Sequence, residues 1–405
     1  MLFRQIIHED LGCASYLVAD RESGVAVVVD PQWEVEPYRR LARLHGVRIG
    51  HVLETHNHAD HVSGHGRLVR QAGAIVHVHE LAEAEYPHEP FTDGWKLTIG
   101  DLTVEAIHTP GHRPEHTCFL LSDAGRGGAP WALLSGDSLF IGDVARPDLA
   151  IAAEADFVDS ATSSLPDRPP NVEQIVAINR GPLIARFGTP LPMTPHEVEE
   201  AVAAGAVVID GRTNEQFDEA HIAGALSTSA YDTGFATKVS RVAPAGVEII
   251  VVAAHDVDEC EAAALLAAVG LRVRGFLEGG MTTWRIDGRP VERIEHIDPE
   301  ELARRVAEPD GPIILDVRNA SEYAAEHIPD SLHIPYGDIA ARVDELPRDR
   351  QIAAICRGGK RSGLAASILQ REGFADVIHV GNGVGAWRAA GGPVESGPAR
   401  DASAV

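Results

Sequence analysis

Short apolar runs alternate with polar, glycine-rich turns along the first part of the chain. Short apolar runs bounded by polar, turn-forming residues are typical of strands. The four clearest runs occupy residues 24–30, 48–55, 74–79 and 131–137. Apolar positions near 36–45 follow a helical period instead. This region is therefore predicted to consist mainly of strands, with at least one helix.

From Thr194 onward the pattern changes to helices that alternate with apolar strands. Thr194 and Glu197 have capping-box spacing around Pro195, which predicts a helix that ends before Gly205. The strand AVVIDGR follows that helix. Alternation of this kind predicts a parallel sheet covered on both faces by helices.

The same order of elements then occurs a second time. Asp298 and Glu301 repeat the capping spacing, and Trp284 and Trp387 fall in register. The matching segments are DGRTNEQFDEAHIAGA (210–225) with DVRNASEYAAEHIPDS (316–331), and GGMTTWRIDGRPV (279–291) with GNGVGAWRAAGGPV (381–394). The repeat predicts two homologous α/β units of about 100 residues each.

Composition narrows the functional classes. A chain of 405 residues with 44% apolar and 23% charged residues is expected to fold into more than one globular domain. A formal net charge of -25 argues against nucleic-acid and anionic-membrane surfaces and favours small-molecule chemistry. The beginning of the sequence lacks the apolar core of a signal peptide, and no run is long enough to span a membrane, so a cytoplasmic location is expected. The four cysteines, interpreted as thiols, are Cys13, Cys118, Cys260 and Cys356.

The most specific chemical signal is the segment 353–374, AAICRGGKRSGLAASILQREGF, in which an apolar strand leads through a glycine-rich loop into a helix. Cys356 stands at the turn, and Arg357, Lys360 and Arg361 follow it. Loop N–H groups and nearby cations stabilise an anion, so this setting favours the thiolate form of Cys356. We interpret Cys356 as a nucleophile that attacks or carries sulfur.

This loop resembles the rhodanese family, together with Asp316-Val317-Arg318 and the stretch EHIPDSLHIP. The resemblance implies that Cys356 accepts and donates sulfane sulfur, with Arg357, Lys360 and Arg361 as its catalytic surroundings. The interval from Cys356 to Arg361 resembles the short sulfurtransferase loop rather than the longer loop of related phosphatases.

The first copy of the repeat lacks this chemistry. Alignment on the two tryptophans places Cys356, Arg357 and Arg361 on Ala253, Ala254 and Asp258. Cys260 falls within the following helix and is interpreted as a core residue. We therefore expect a rhodanese-like domain without sulfur transfer, with a role in packing or docking.

A second constellation of chemical residues lies in the N-terminal part. The residues are His56, His58, Asp60 and His61 in ETHNHADHVSGH (54–65), His112 in TPGH (109–112) and Asp137 in SGD (135–137). Four potential ligands within six residues indicate a metal site. These motifs resemble the metallo-β-lactamase superfamily, which implies an αβ/βα sandwich, here shortened after Asp137. His45, His51, His77 and His79 are interpreted as ordinary core or surface residues.

That superfamily includes binuclear zinc hydrolases such as glyoxalase II and mononuclear iron persulfide dioxygenases. No histidine occurs between His116 and His196, so a second metal would lack the further histidine that a binuclear site needs. Two histidines and one carboxylate suit Fe(II) and oxygen activation. By the family motif these ligands are His56, His112 and Asp137, holding one Fe(II) per chain, with Zn(II) as the alternative. His58, Asp60 and His61 are then second-shell groups or alternative ligands, and Arg146 is a candidate for a substrate carboxylate.

The joint resemblance implies a persulfide dioxygenase fused to a sulfurtransferase. Its expected substrates are O2 and a small thiol persulfide such as glutathione persulfide, and its sulfur products are sulfite or thiosulfate. The alternatives are a zinc-dependent thioester hydrolase of the glyoxalase II type, and a sulfurtransferase with a non-catalytic N-terminal domain. The oligomeric state stays open, a homo-oligomer included. Predicted domains are 1–180 for the iron domain, 194–291 for a rhodanese-like domain that lacks the catalytic cysteine, and 297–395 for the rhodanese domain with Cys356.

Overall fold

The computed structural model describes residues 1–8, 11–140, 171–186 and 190–398. Two compact units are formed, Met1–Phe187 with Ala267–Gly270, and Gly188–Leu266 with Leu271–Val405. Among the described residues no helix combines the length and apolar character that crossing a membrane requires. All four cysteines are free thiols, as expected.

The first unit contains two facing sheets. Its strands are β1 (Leu2–Ile7), β2 (Ala14–Asp20), β3 (Val25–Val29), β4 (Arg48–Leu53), β5 (Ile75–His79), β6 (Glu89–Phe91), β7 (Lys96–Ile99), β8 (Leu102–His108), β9 (Thr117–Asp123) and β10 (Pro130–Leu134). Its described helices are α1 (Glu36–His45), α2 (His65–Ala72) and α3 (Val172–Arg180). One sheet has the order β1-β2-β3-β4-β5-β6 and the other β10-β9-β8-β7. The four predicted strands and the helix near 36–45 are confirmed.

Strand β3 shows why the sequence here is an unbroken apolar run. Ala26 and Val28 point into a core shared with α1 and α2. Val27 and Val29 point to the opposite face and pack with residues of the second sheet, Phe119 among them. Because both faces of β3 are covered, every position must be apolar, and the usual polar alternation is absent.

Strands β3 to β6 run parallel to one another, which brings their carboxyl ends to one edge of the sheet. Asp30 follows β3 and Glu54 follows β4, so both acidic side chains stand at that edge. The histidine-rich segment 54–65 begins at the same place. The sheet thus gathers the polar residues of the N-terminal unit at a single edge, where α/β proteins commonly bind ligands.

The second unit contains two five-stranded parallel sheets. Its strands are β11 (Leu191–Met193), β12 (Val207–Asp210), β13 (Leu226–Ser227), β14 (Glu248–Val252), β15 (Arg272–Leu277), β16 (Glu295–Ile297), β17 (Ile313–Asp316), β18 (Leu332–His333), β19 (Ile352–Ile355) and β20 (Val377–Val380). Its helices are α4 (Pro195–Ala203), α5 (Asn214–Glu219), α6 (Phe235–Val242), α7 (Asp256–Ala268), α8 (Gly280–Ile286), α9 (Pro299–Val306), α10 (Ala320–Ala325), α11 (Ile339–Arg342), α12 (Lys360–Arg371) and α13 (Gly383–Ala389). The orders β11-β15-β14-β12-β13 and β16-β20-β19-β17-β18 are the same topology twice, which confirms the internal repeat.

The predicted capping interactions are present at both repeat starts. The Thr194 hydroxyl accepts from the backbone N–H of Glu197, whose carboxylate accepts from the N–H of Thr194 in return. In the second copy the Asp298 carboxylate accepts from the N–H of Glu301 at 2.7 Å. Each cap satisfies amide groups at the helix start that have no partner within the helix.

A buried Asp–Arg pair braces each repeat in the same way. Arg318 Nε and Nη2 donate to Asp316 at 2.9 and 2.6 Å, and Nη2 also donates to the Glu326 carbonyl at 2.6 Å. In the first copy Arg212 bonds Asp210 at the same two distances. Both pairs are more than nine-tenths buried. The motif therefore maintains the fold of both copies, whether or not the nucleophile is present.

The interpretation of Cys260 as a core residue is wrong. Cys260 lies on α7, as expected, but its side chain is exposed. The buried positions of α7 include Glu259, Ala262, Ala263 and Leu266, which recur every three to four residues. Position 260 falls on the opposite, solvent-facing side of this helix.

We predict that Arg318→Met destabilises the second unit by about 3–5 kcal/mol, because the change leaves the buried Asp316 carboxylate without its counter-charge. Calorimetric unfolding measures this effect, and Arg212→Met should cause a loss of similar size in the first copy. Arg342→Met is the control, since Arg342 pairs with Glu345 at the surface. An unfolding transition of Arg318→Met that matches the control would contradict the prediction.

Candidate functional site

Two histidines and one aspartate converge at the edge of the first unit. His56 lies in the loop after β4, His112 in the turn between β8 and β9, and Asp137 just after β10. Asp137 Oδ2 is 3.8 Å from His56 Nε2 and 3.6 Å from His112 Nε2. These distances exceed a hydrogen bond but suit atoms that share an ion at about 2.1 Å each. The three side chains form a candidate metal centre.

The hydrogen bonds of His56 determine which ring nitrogen faces that centre. Thr55 Oγ1 donates to Asp30 Oδ2 at 2.9 Å, so this hydroxyl accepts from His56 Nδ1, also at 2.9 Å. His56 Nε2 is buried and has no hydrogen-bond partner among the described residues. Burial, with a contribution from the charge of His58, lowers the pKa of His56 well below its usual value. His56 therefore presents a neutral Nε2 lone pair, the form that binds a metal.

Asp137 supplies the negative charge of the centre. Its backbone N–H donates to His116 Nε2 at 3.1 Å, which fixes the turn after β10. Burial, reinforced by the charge of Asp60, raises the pKa of Asp137 to about 7. A bound cation opposes that shift and favours the carboxylate.

The ring of His58 lies beside that of His56, with the ring centroids 4.3 Å apart, and contacts two carboxylates. Its Nε2 lies 3.2 Å from Asp30 Oδ1 and 3.2 Å from Glu54 Oε2. Burial alone would lower the pKa of His58, but the charges of Asp30 and Glu54 raise it well above the usual value. Ligand atoms of Asp30, Glu54 and His58 lie within 4.8 Å of one another, so this group offers a further candidate ion site, while without an ion the two carboxylates orient the His58 ring.

Asp60 and His61 lie together with a residue that sequence reasoning missed. His61 Nδ1 is 3.0 Å from Asp60 Oδ1, while His61 Nε2 is buried without a hydrogen-bond partner among the described residues. Ligand atoms of Cys13, Asp60 and His61 all lie within 4.8 Å of one another. The expectation of a single metal ion rests on the spacing of histidines alone. Cys13, near the start of β2, carries no motif that identifies it as a ligand.

The second candidate site is the loop that carries Cys356. This cysteine follows β19 and is buried, and the backbone N–H of Gly359 donates to its Sγ at 3.2 Å. Ser362 Oγ lies 3.4 Å from the same sulfur. Gly359 has φ 94°, a conformation that favours glycine. Gly383 packs so closely that a Cβ there would lie 2.2 Å from the Cys356 carbonyl oxygen.

The cations predicted to surround the Cys356 sulfur pair with carboxylates or face solvent instead. Arg361 forms two hydrogen bonds to Glu322, at 2.6 and 2.8 Å. Lys360 Nζ lies 2.5 Å from Asp232 Oδ1, and Arg357 is exposed. Carboxylates therefore pair with two of the three predicted catalytic cations, while a backbone N–H contacts the sulfur directly.

Comparison with known proteins assigns a protein family to the region around each site. The rhodanese-like domain model matches residues 194–287 and 298–390, and the metallo-beta-lactamase superfamily model matches residues 8–171. A sulfurtransferase from Allochromatium vinosum is 35% identical over 101 residues, which is 25% of this chain and 94% of that protein. The chain belongs to the rhodanese family of sulfurtransferases. A metallo-beta-lactamase domain precedes its two rhodanese-like domains.

Relatives of the metallo-beta-lactamase domain include enzymes of two kinds. A hydroxyacylglutathione hydrolase from a Synechococcus species is 34% identical over 157 residues, 38% of this chain and 60% of that protein. The mitochondrial persulfide dioxygenase of Homo sapiens is 32% identical over 153 residues, 36% of this chain and 56% of that protein. The chain thus spans little more than half the length of either enzyme. The similarity does not separate the two activities.

A solved structure shows the same fold over much of the chain. The metallo-beta-lactamase from Staphylococcus aureus subsp. aureus COL aligns with a TM-score of 0.60 at 24% identity. The alignment covers 68% of this chain and 98% of that one.

Within the metallo-beta-lactamase domain, Asn179 binds the backbone of the histidine-rich segment 54–65, although it lies more than 100 residues later in the sequence. Its Oδ1 accepts from the N–H of Ser63 at 2.8 Å, and its Nδ2 donates to the carbonyls of His58 and His61 at 3.0 and 2.8 Å. The sequence predicts a shortened fold after Asp137, in which residues 148–181 lead to the next domain. The end of that segment is helix α3 instead, and no motif identifies its buried asparagine as functional.

One predicted site residue, Arg146, lies outside the described residues, as does most of the segment expected to be shortened.

We predict that Asn179→Ala weakens metal binding about tenfold, because groups that orient ligands commonly contribute that much. The substitution also leaves the buried N–H of Ser63 unpaired. Isothermal titration of the apoprotein with Fe(II) or Zn(II) measures the effect. The control is Arg180→Ala on the same helix, since Arg180 pairs with Glu83 at the surface. Equal affinities for the two variants would contradict the prediction.

Proposed function

We propose that the metallo-beta-lactamase domain is an Fe(II)-dependent persulfide dioxygenase and that the second rhodanese domain transfers sulfane sulfur through Cys356. One observation carries the oxidative half, namely the convergence of His56 Nε2, His112 Nε2 and Asp137 Oδ2. Two imidazoles and one carboxylate leave several positions of an iron ion open, as oxygen-dependent iron enzymes require.

One Fe(II) per chain is the proposed cofactor, held by His56, His112 and Asp137. When bound, Fe(II) supplies the activation of O2 that allows a sulfane sulfur to be oxidised. The protein residues prepare the site for the ion. Thr55 and Asp30 fix the neutral tautomer of His56, and the donor set of nitrogen and oxygen atoms suits iron.

The proposed net reaction converts a thiol persulfide, O2 and water to a thiol, sulfite and two protons. Glutathione persulfide is the proposed substrate, in a cytoplasmic setting. Four electrons leave the outer sulfur and reduce O2, so no further oxidant is required.

Sulfur transfer at Cys356 needs no metal. The thiolate attacks the outer sulfur of a donor such as thiosulfate, forming the cysteine persulfide while the sulfur–sulfur bond of thiosulfate breaks and sulfite leaves. A nucleophilic acceptor then takes the outer sulfur and restores the thiolate. The Gly359 N–H, 3.2 Å from Sγ, stabilises negative charge there.

We predict that His112→Ala and Cys356→Ser separate the two activities. His112→Ala should lower bound iron and persulfide-dependent oxygen uptake by about a hundredfold or more, because a metal ligand is lost, and sulfur transfer should persist. Cys356→Ser should abolish sulfur transfer and leave oxygen uptake unchanged. An oxygen electrode, metal analysis and a thiosulfate transfer assay provide the measurements. Loss of all activity in Cys356→Ser alone would instead support a non-catalytic N-terminal domain.

A second candidate function is a zinc-dependent thioester hydrolase of the glyoxalase II type. The specific observation in its favour is the grouping of Cys13, Asp60 and His61, which offers sulfur, oxygen and nitrogen ligands beside Asp137. Two metal ions and thioester cleavage without oxygen uptake would establish this function and overturn the dioxygenase.

We predict that Cys13→Ala retains one iron per chain, because the proposed dioxygenase holds its iron with His56, His112 and Asp137 alone. Metal analysis after reconstitution with Fe(II) and with Zn(II) provides the measurement, with Cys260→Ala as the matched control at an exposed cysteine. A fall from two ions to one in Cys13→Ala would favour the hydrolase.

A further inference from the structure

The first repeat, which lacks the catalytic cysteine, places a buried carboxylate against the repeat that carries Cys356. Asp218 lies on α5, and its side chain is 4% exposed. Its Oδ2 accepts from His379 Nδ1 at 2.6 Å and from His296 Nδ1 at 2.9 Å. Both histidines belong to the second repeat, His379 on β20 and His296 on β16. One carboxylate oxygen therefore holds two imidazoles of the other repeat.

His379 continues this contact to the sulfur loop. Its Nε2 lies 2.8 Å from the carbonyl oxygen of Gly359. Both nitrogens of the buried ring thus face acceptors, the carboxylate of Asp218 on one side and a carbonyl on the other. Both bonds need a hydrogen on each ring nitrogen, and the Asp218 carboxylate is the acceptor for the hydrogen on Nδ1.

Gly359 connects this chain of contacts to the nucleophile. Its carbonyl is held by His379, and its own N–H donates to Cys356 Sγ at 3.2 Å. Asn214, also on α5, donates to the same carbonyl at 3.3 Å. Within the loop itself, the Ser362 hydroxyl and the Gly363 N–H also donate to this carbonyl, at 2.8 and 3.1 Å, so His379 is one of several donors that fix Gly359 in its left-handed conformation.

Hydrogen bonding rather than a metal explains this cluster. Asp218, His296 and His379 have the composition of a metal site. Their contacts of 2.6 and 2.9 Å, however, are those of hydrogen bonds, shorter than the 3.6 and 3.8 Å around Asp137. Burial raises the pKa of Asp218, but the hydrogen bonds from His296 and His379 lower it below its usual value, so the carboxylate is charged.

We propose that Asp218 is a positioning residue for sulfur transfer: it holds His379 against the Gly359 carbonyl and thereby directs the Gly359 N–H at Cys356 Sγ. The repeat that lacks the catalytic cysteine thus contributes to the reaction of the other repeat. This inference rests on the proposed sulfur transfer at Cys356.

The test uses the full-length protein and the variants Asp218→Asn, His379→Phe and His296→Gln. Two readouts are kcat and KM for transfer from thiosulfate to cyanide, and the rate at which iodoacetamide alkylates Cys356, followed by mass spectrometry of its peptide. We expect Asp218→Asn and His379→Phe to lower kcat by about tenfold or more with a smaller change in KM, since small displacements of a reacting group cost that much. The alkylation rate should fall in parallel.

His296→Gln is the matched control, because His296 bonds the same oxygen of Asp218 but does not contact Gly359. This variant should retain most of the transfer rate. The double variant Asp218→Asn/His379→Phe should be no slower than His379→Phe alone, because the two residues act through one path. If Asp218 and His379 only stabilise the fold, the transfer rate of every variant should fall in proportion to its urea unfolding midpoint, whichever residue is changed.

Wild-type rates in both Asp218→Asn and His379→Phe, or an equal loss in His296→Gln, would overturn the proposal. If Asp218→Asn does not fold, the comparison of His379→Phe with His296→Gln still tests the proposal. Absence of transfer in the wild-type protein would refute the proposed function instead, and the alkylation rates would still report whether Asp218 and His379 position the loop.

Discussion

Buried carboxylates determine the state of the histidines on which both sites depend. An imidazole has two nitrogens, and the partner of one decides what the other can do. Asp30 acts through Thr55 to leave a lone pair on His56 Nε2. The same aspartate, directly beside His58, keeps that second ring protonated. In the second unit, Asp218 binds Nδ1 of His379 while Nε2 of the same ring faces the Gly359 carbonyl.

The two rhodanese-like domains show that scaffold and chemistry are carried by separate residues. Both copies keep the buried Asp–Arg pair and a tryptophan whose Nε1 donates to a proline carbonyl at 2.9 Å, Trp284 in one and Trp387 in the other. Neither interaction involves the position of the nucleophile. Replacement of the cysteine by Ala253 therefore left the sheet order unchanged.

Much of the fold could be predicted because it depends on local patterns. Strand β3 is recognised by its apolar run, and α4 by the capping box that Thr194 begins. The ordered histidine motifs likewise indicated which side chains converge. Asn179 and Asp218 could not be found in this way, since each acts on a loop more than 100 residues distant in sequence. Cys260 was misjudged because a helix of mixed composition does not reveal which face is covered.

Duplicated domains that lose their nucleophile are usually expected to diverge freely. The contact between Asp218 and His379 removes that freedom at one position of α5, because an apolar residue there would leave the buried Nδ1 of His379 in the neighbouring copy without its hydrogen-bond acceptor. Selection on this aspartate would then be visible in the copy with no reactivity of its own. Deletion of the first repeat would likewise remove Asp218 and leave His379 of the second repeat without this partner.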